Sequence, residues 1–489
     1  MPPASKTAGT GPGDGPPPRP SSPLDSFFHL SRRGSSVTQE LRGGLATFFA
    51  MAYIIVLNPI ILGSATDKFG HKLDHGELVT ATVLVAAVTT LLMGVIGNVP
   101  VACAAGLGIN AVVSLQLAPE MSWADAMGMV VLAGLIIMLL VATGLRERVM
   151  SAIPDGLRKA IVIGIGLFIA LVGLVDAGFV TRNPDSAHTT VPLTLGTAGH
   201  LKGWPVLVFV LGLALTFVLL ARRFRGAILV SIVTMTVLAV IIHALADVPD
   251  GAWGLTAPVI PDHVVEAPHF GLLGEASLFG GFREAGILTG CLFVFTVLLS
   301  GFFDAMGTIL GVTEEARLLD ENGRLPEMNR VLMADGAAVA LGGAASASAS
   351  TAFAESTAGV GEGARTGLAN LVTGALFLLA LVFTPLVTIV PSQAATPALV
   401  AVGYLILSSN IRGIDWSDPT IAAPAFLTII LMPFSFSITA GIGMGFLAHT
   451  LLRTAIGRPG SVRPALWVTS AVFVVYFALD PLERWLGLG

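Results

Sequence analysis

The chain has 489 residues, 54% of them hydrophobic and 12% charged, with a formal net charge of -5 and a mean hydropathy of +0.84. That is too apolar for a water-soluble globule, and several runs exceed the ~18 residues a spanning helix needs, which leaves a polytopic membrane protein. No basic block of nucleic-acid type occurs, so no nucleic-acid partner is expected. Cys103 and Cys291 lie in apolar surroundings where a thiol packs as a small hydrophobe, so no metal site and no disulfide framework is expected.

Residues 1 to about 25 are rich in Pro, Gly and Ser and cannot bury enough apolar surface to offset chain entropy; a disordered cytoplasmic tail is expected. No apolar stretch of signal-peptide type follows the initiating methionine. Ser31 to Gly44 reads as an amphipathic approach to the membrane, with Arg32, Arg33 and Arg42 favouring the cytoplasmic side. From there, strong apolar runs fall at 42–63, 77–97, 123–144, 157–176, 204–221, 226–246, 286–311, 331–345, 367–390, 394–408, 421–452 and 464–480. Weaker, small-residue-rich segments at 99–118 and 348–364 complete about fourteen crossings. Arg146, Arg148, Arg158 and Lys159 share one even-numbered loop and Arg222, Arg223 and Arg225 the next, which places the N-terminus inside. Arg453, Arg458 and Arg463 resist this scheme if 421–452 crosses once. Pro424 and Pro433 offer a way out, with a bent 394–432 and a crossing at 435–453.

The two weak segments open near Pro100 and Ser348, about 250 positions apart, and the strong runs after them start about 245 apart. Seven crossings per unit makes the halves inverted, as in many secondary transporters whose substrate lies where broken helices meet. The expected layout is a tail over 1–40, a first repeat over 41–250, an extracellular loop over 251–285 and a second repeat over 286–489.

The first weak segment, VPVACAAGLGINAVVSLQ (99–116), joins a non-helical opening to a helical stretch through Gly106-Leu107-Gly108. A half-helix starting there would present free N–H groups to a cavity, with Asn110 offering a donor and an acceptor. The alternative is a glycine-rich packing helix in which Asn110 ties two helices together. The second, SASASTAFAESTAGVGEG (346–363), repeats the design with an acid, Glu355. Asp304 stands in the apolar run 286–311, where a charge costs roughly 2.5 to 3.5 kcal/mol on insertion scales. Each acid has a bland reading, Glu355 as a cap or ion-pair partner and Asp304 as a buried acid bonded to Thr308. Finding both in one predicted repeat shifts the weight to function. Asp335, near Arg330, reads as an interfacial or structural acid, and 313–330 as a solvated cytoplasmic loop. No HExxH, GxSxG, phosphate loop or Ser/Lys or Cys/His pair is present, so no enzyme is expected. Single, unlike acids also differ from the ring of repeated filter residues that a channel needs.

The stretches GLATFFAMAYIIVLNPIIL (44–62), MGVIGNVPVACAAGLGINA (93–111), FFDAMGTILGV (302–312), NGRLPEMNRVLMADG (322–336), AESTAGVGEGARTGL (354–368) and IDWSDPTIAAPAFLTIILMPFSFSITAGIGMG (414–445) carry a resemblance. The chain resembles the AzgA-like adenine/guanine/hypoxanthine permeases, the purine branch of the nucleobase/ascorbate transporter fold, over nearly everything after residue 40. The resemblance implies an all-α, seven-plus-seven inverted repeat with a core of helices one to four and eight to eleven, and a gate of the remainder. It implies a plasma-membrane purine permease of elevator type, with no cofactor. Substrate would enter with a proton, sodium being the alternative, and membrane lipid and a homodimer through the gate are the other expected partners. Asn110, Asp304 and Glu355 match positions tied to purine binding, the two acids also to proton coupling. Phe353 is placed to stack on the base or to pack, and Gly108 and Ala354 sit at the half-helix starts beside them. Ala105, Phe353 and Val112-Val113 depart from the family pattern, which bears on base preference and leaves the polar trio intact. A carrier of another substrate on the same fold (xanthine, uracil or an inorganic anion), a channel and a non-transporting receptor are the other readings.

Overall fold

The computed structural model describes residues 22–144, 153–183, 193–197, 199–224, 226–253, 256–261, 263–321 and 324–478, apart from the side chains of residues 303 and 304. The first seven segments are α1 (Val37–Ser64), α2 (His75–Gly97), a broken segment made of β1 (Cys103–Ala105) and α3 (Leu107–Val112), α4 (Trp123–Ala142), α5 (Asp155–Asp176), α6 (Trp204–Ala221) and α7 (Ala227–Ala246). A two-stranded ribbon, β2 (Val180–Arg182) with β3 (Leu193–Leu195), follows α5. The second seven are α8 (Ile287–Glu315), α9 (Met328–Ala344), a broken segment made of β4 (Ser350–Ala352) and α10 (Thr357–Gly361), α11 (Leu368–Thr388), α12 (Ser392–Gly413), α13 (Pro419–Ser435) and α14 (Ile438–Ala455). Nine helices among the described residues are long and apolar enough to cross a membrane; the broken segments fall short of that length because their backbone is interrupted.

Helix starts are written locally. Ser36, Asp74, Ser122, Asp418 and Ser437 each accept a hydrogen bond from a backbone N–H of the following first turn, which satisfies donors that would otherwise face an apolar surround. The inverted repeat shows in the centre of the molecule. β1 and β4 pair antiparallel, Cys103 with Ala352, Ala104 with Thr351 and Ala105 with Ser350. Ala104 and its partner Thr351 are 247 positions apart, and so are Gly106 and Phe353, whose amides donate to Ala349 O at 2.8 Å and Ala102 O at 2.9 Å in matching positions. A two-fold axis through the Ala104–Thr351 pair relates the two halves. The helix neighbours repeat accordingly: α4 packs on α8 and α9, and α11 packs on α1 and α2. These helices form the core domain. The gate is built from α5 against α12 and α13, α13 against α14, and α6 against α7 and α12.

The apolar run 421–452 is two helices. Phe436 takes a left-handed conformation (φ 54°) and Ser437 caps α14, so α13 and α14 form a hairpin and the fourteen segments end at Ala455. A further short helix, α15 (Pro464–Phe477), follows. The expected single crossing at 421–452, with 464–480 as the fourteenth, is therefore corrected. Arg453 at the end of α14 bonds Asp418 at the start of α13 (3.1 Å), and with Arg463 it borders a cleft shared with Asp155 and Arg158. The arginines that resisted the charge pattern lie on the same face as the first turn of α5.

Residues 1–21 of the expected disordered tail, with the C-terminal 479–489, lie outside the described residues. From residue 22 the chain is docked: Pro23–Phe28 is a short helix, and Arg33 bonds Glu327 Oε2 (3.2 Å), Arg365 O (3.2 Å) and Asn98 O. Burial lowers the Arg33 pKa, opposed by the facing Glu327 carboxylate. Glu327 is held in this contact, while the other charges of 313–330 (Glu314, Glu315, Arg317, Asp320, Glu321, Arg324 and Arg330) are exposed, as a solvated loop requires. Cys103 is buried in β1, Cys291 is exposed, and no group of three metal-ligating side chains occurs among the described residues.

Candidate functional site

The two-stranded pairing at the centre would leave strand edges unsatisfied in a lipid environment, and side chains from the core helices close them. Thr90 of α2 takes the β1 edge, donating to Cys103 O (2.8 Å) and accepting from Cys103 N (3.0 Å). Asp335 of α9 takes the β4 edge, accepting from Ala352 N and Thr351 Oγ1, both at 3.2 Å. Asp335 is buried, a structural acid whose function is to hold non-helical backbone in place.

Where the strands end, a half-helix starts on each side. α3 begins after Gly106, and its partner begins with a turn at Ala354–Ser356 that runs into α10; neither start has a side-chain cap. The axis makes Gly108 the counterpart of Glu355, each the second residue of its half-helix. Gly108 faces the gate: a Cβ built on it would lie 2.6 Å from Ile165 Cγ2 of α5 and 3.9 Å from Ser300 Oγ of α8. Glycine is needed here because the half-helix backbone approaches the gate helix closely.

Glu355 is half-buried and Ala354 is exposed, so this half-helix start reaches the surface of the core. The Tyr53 hydroxyl of α1 donates a hydrogen bond to Glu355 Oε1. Phe353 is buried, with its ring centroid 6.5 Å from that of Tyr53. Phe353 therefore packs against the tyrosine that holds the acid. Asp304 is carried on α8; its side chain lies outside the described residues. Ser300 and Gly301, one turn earlier, lie against Gly108 and Ile109, which brings this stretch of α8 alongside α3.

Asn110 lies in the interior of the core, its Oδ1 without a hydrogen-bond partner among the described residues. It is fully buried and its Nδ2 donates to Asn58 Oδ1 (2.6 Å), while Asn58 Nδ2 donates to Thr82 Oγ1 (2.7 Å) and Ala347 O (3.2 Å). This chain crosses α3, α1, α2 and the approach to β4, the geometry of an interhelical tie. Phe353, Ala354 and Glu355 lie with Tyr53 at one end of the β1–β4 pair, Gly108 lies against the gate helix α5 at the other, and Asn110 is buried within the core. Two residues of this centre were missed by sequence reasoning, Tyr53 and Asn58. The available signal was that both are polar groups inside the apolar stretch MAYIIVLNPII, where each needs a partner.

Two inverted sets of seven segments, each with a half-helix starting at the central strand pair and one of them carrying a partly buried acid, define a membrane carrier. The chain belongs to the Permease family, whose sequence profile matches residues 38–479. It is 36% identical over 459 residues to the guanine/hypoxanthine permease PbuG of Bacillus subtilis strain 168, covering 93% of this chain and 99% of that one. It is likewise 36% identical over 461 residues to the adenine permease AdeQ of Escherichia coli strain K12, covering 93% and 96%. Among solved structures, the transmembrane domain of the cyanobacterium bicarbonate transporter BicA matches with a TM-score of 0.58 at 16% identity, over 83% of this chain and 96% of that one. SLC26A9 matches with a TM-score of 0.60 at 13% identity, over 86% and 66%. At such identity these two likenesses concern the fold alone.

Proposed function

We propose that this protein is a secondary active permease that imports purine nucleobases, hypoxanthine, guanine or adenine, across the plasma membrane together with a proton. The observation that carries the reading is Glu355, held by Tyr53 at the partly exposed start of a half-helix. A purine is a flat, neutral ring system with adjacent N–H donors and ring-nitrogen acceptors. A carboxylate accepts from the donors while backbone amides at a half-helix start, those of Gly108 and Ala354, face the acceptors. Phe353 contributes an aromatic wall. Asn110 acts indirectly, by fixing α3 through Asn58. Nucleobases are the substrates named for the 36%-identical relatives, whereas the structures of similar fold named as bicarbonate or anion transporters share 13 to 16% of residues. A carboxylate facing the substrate also repels an anion.

In this reading Asp304 takes the proton, so that Glu355 stays ionised against the purine, and the loaded core slides against the gate. The N-terminus lies in the cytoplasm, with the basic face around Arg158, Arg453 and Arg463. Uptake of labelled hypoxanthine, adenine, guanine, uracil and xanthine in cells lacking their own purine permeases tests the substrate class. Saturable, purine-selective, concentrative uptake is expected, and equal uptake of uracil would overturn it. Asp304→Asn is expected to abolish the dependence of accumulation on an inward proton gradient, while unchanged acid-driven accumulation would remove Asp304 from the proton step.

A further inference from the structure

α8 carries polar residues at helical spacing, with Thr296, Ser300 and Asp304 a turn apart along it. Ser300 lies beside Gly108, and Thr296 stands one turn nearer the start of α8. Thr296 is fully buried, and its hydroxyl oxygen is 3.0 Å from the hydroxyl of Thr439, the second residue of α14. Thr439 also bonds Gln116, whose Oε1 accepts from the threonine hydroxyl at 3.1 Å and from its amide at 3.4 Å. Gln116 sits in Val113–Leu117, a π-helical turn that continues α3. Such turns interrupt a helix at the cost of weaker bonding and are frequent at functional sites.

Thr296 and Gln116 belong to the core and Thr439 to the gate, so these bonds cross the contact between the two domains. The contact is dry, with Thr296 at 0%, Thr439 at 1% and Gln116 at 8% exposure. Parting the three side chains without water leaves polar groups unpaired, which is costly, whereas parting them with water at hand exchanges one set of hydrogen bonds for another. Movement at this point is therefore tied to the entry of water. Gln116 adds a second feature: its Nε2 has no hydrogen-bond partner among the described residues, although the residue is more than nine-tenths buried. The closed arrangement leaves unsatisfied a donor that water satisfies on opening, which favours a releasable contact over a permanent tie.

α14 runs from this cluster to Arg453 on the basic face, so the cluster lies toward the opposite side of the molecule. We propose that Gln116, Thr296 and Thr439 form the outer gate of the carrier, hydrogen-bonded and dry in this conformation, parted and hydrated when the core moves to admit substrate from outside. Such a gate presupposes the carrier reading given above, with a sliding core and the N-terminus in the cytoplasm. It closes the path one turn of α8 beyond Ser300, between the half-helix α3 and the outer surface.

The test reads opening directly, without purine. Ser300 is buried, so in full-length protein carrying Cys291→Ala, which removes the exposed thiol, Ser300→Cys reacts with a membrane-impermeant maleimide on intact cells only when the outer side opens. Thr439→Val keeps the shape and removes the hydroxyl, and it is expected to raise the labelling rate about threefold to tenfold, the equilibrium factor of one or two neutral hydrogen bonds. Gln116→Leu is expected to do the same, the double variant to add little to either, and Thr439→Ser to keep the unmodified rate. Thr450→Val on the same helix removes a buried hydroxyl bonded at 2.9 Å to Ser470 within the gate, and it is expected to leave labelling unchanged. Faster labelling in Thr439→Val by a protein that takes up no purine supports the gate and counts against the proposed substrate alone. Purine uptake with equal labelling in Thr439→Val and its parent, equal acceleration by Thr450→Val, or additive effects of Gln116→Leu and Thr439→Val would each overturn the gate.

Discussion

Gly108→Ala tests the contact between the core half-helix and the gate. The added Cβ would stand 2.6 Å from Ile165 Cγ2, against the about 3.5–4.0 Å of a relaxed carbon–carbon contact. Core and gate must therefore separate by about 1 Å at this point, or Ile165 must leave its position. Overpacking of this kind costs about 1–3 kcal/mol, which at about 1.4 kcal/mol per decade corresponds to a loss of roughly fivefold to 150-fold. The strain falls at the core–gate contact, across which the proposed mechanism slides the core, so it is expected in hypoxanthine uptake rather than in fold stability. The assay is initial uptake in whole cells, normalised to the amount of monodisperse protein extracted. Ile165→Ala removes the methyl that the new Cβ meets, and Gly108→Ala/Ile165→Ala is expected to recover most of the lost uptake. Wild-type uptake by Gly108→Ala alone, or no recovery in the double variant, would refute the close approach as the reason for glycine here.

Tyr53→Phe removes the hydroxyl that donates to Glu355 and leaves the ring against Phe353. A hydrogen bond to a charged group contributes about 1.5–3 kcal/mol, so uptake is expected to fall by about tenfold or more. In a double-mutant cycle with Glu355→Gln the two losses should be strongly non-additive, and simple additivity would show that the tyrosine acts independently. Asp67, in the loop between α1 and α2, accepts from the amides of Phe69 (2.9 Å) and His71 (2.8 Å). Burial opposes its ionisation, but these bonds outweigh burial and hold its pKa below the ordinary 3.8. The stability it supplies is thus present above pH 3.8 and lost as the pH falls through the lowered folded value. The melting temperature of Asp67→Asn should lie below wild type at pH 7 and converge on it under acid; a constant gap across that range would contradict the assignment.

Much of the fold was legible because the signals were local. An interruption in apolar periodicity marked both broken segments, and their spacing of about 250 positions anticipated the 247-residue offset of the pairing. The hairpin at Phe436 was harder to read, because a phenylalanine in a left-handed conformation is not a residue that announces a turn; the usable signal was Ser437, which caps α14. Within the site, Glu355 stood out because an acid in a small-residue segment is costly. Tyr53 did not, since a tyrosine fits an apolar run, and its role depends on Glu355, 302 positions away. Asn110 shows the same limit from the other side. The sequence offered a polar amide at a half-helix, and only tertiary packing decides that its donor is turned to Asn58.

The most direct measurement is equilibrium binding of labelled hypoxanthine to purified wild-type and Glu355→Gln protein. Glutamine keeps the size of the side chain and replaces the carboxylate that is proposed to accept from the ring N–H groups. Loss of about two or more kcal/mol, roughly thirtyfold or greater in Kd, is expected when the bound base covers the site and its N–H groups are left without the carboxylate. A Glu355→Gln protein that binds hypoxanthine as tightly as wild type would contradict the account.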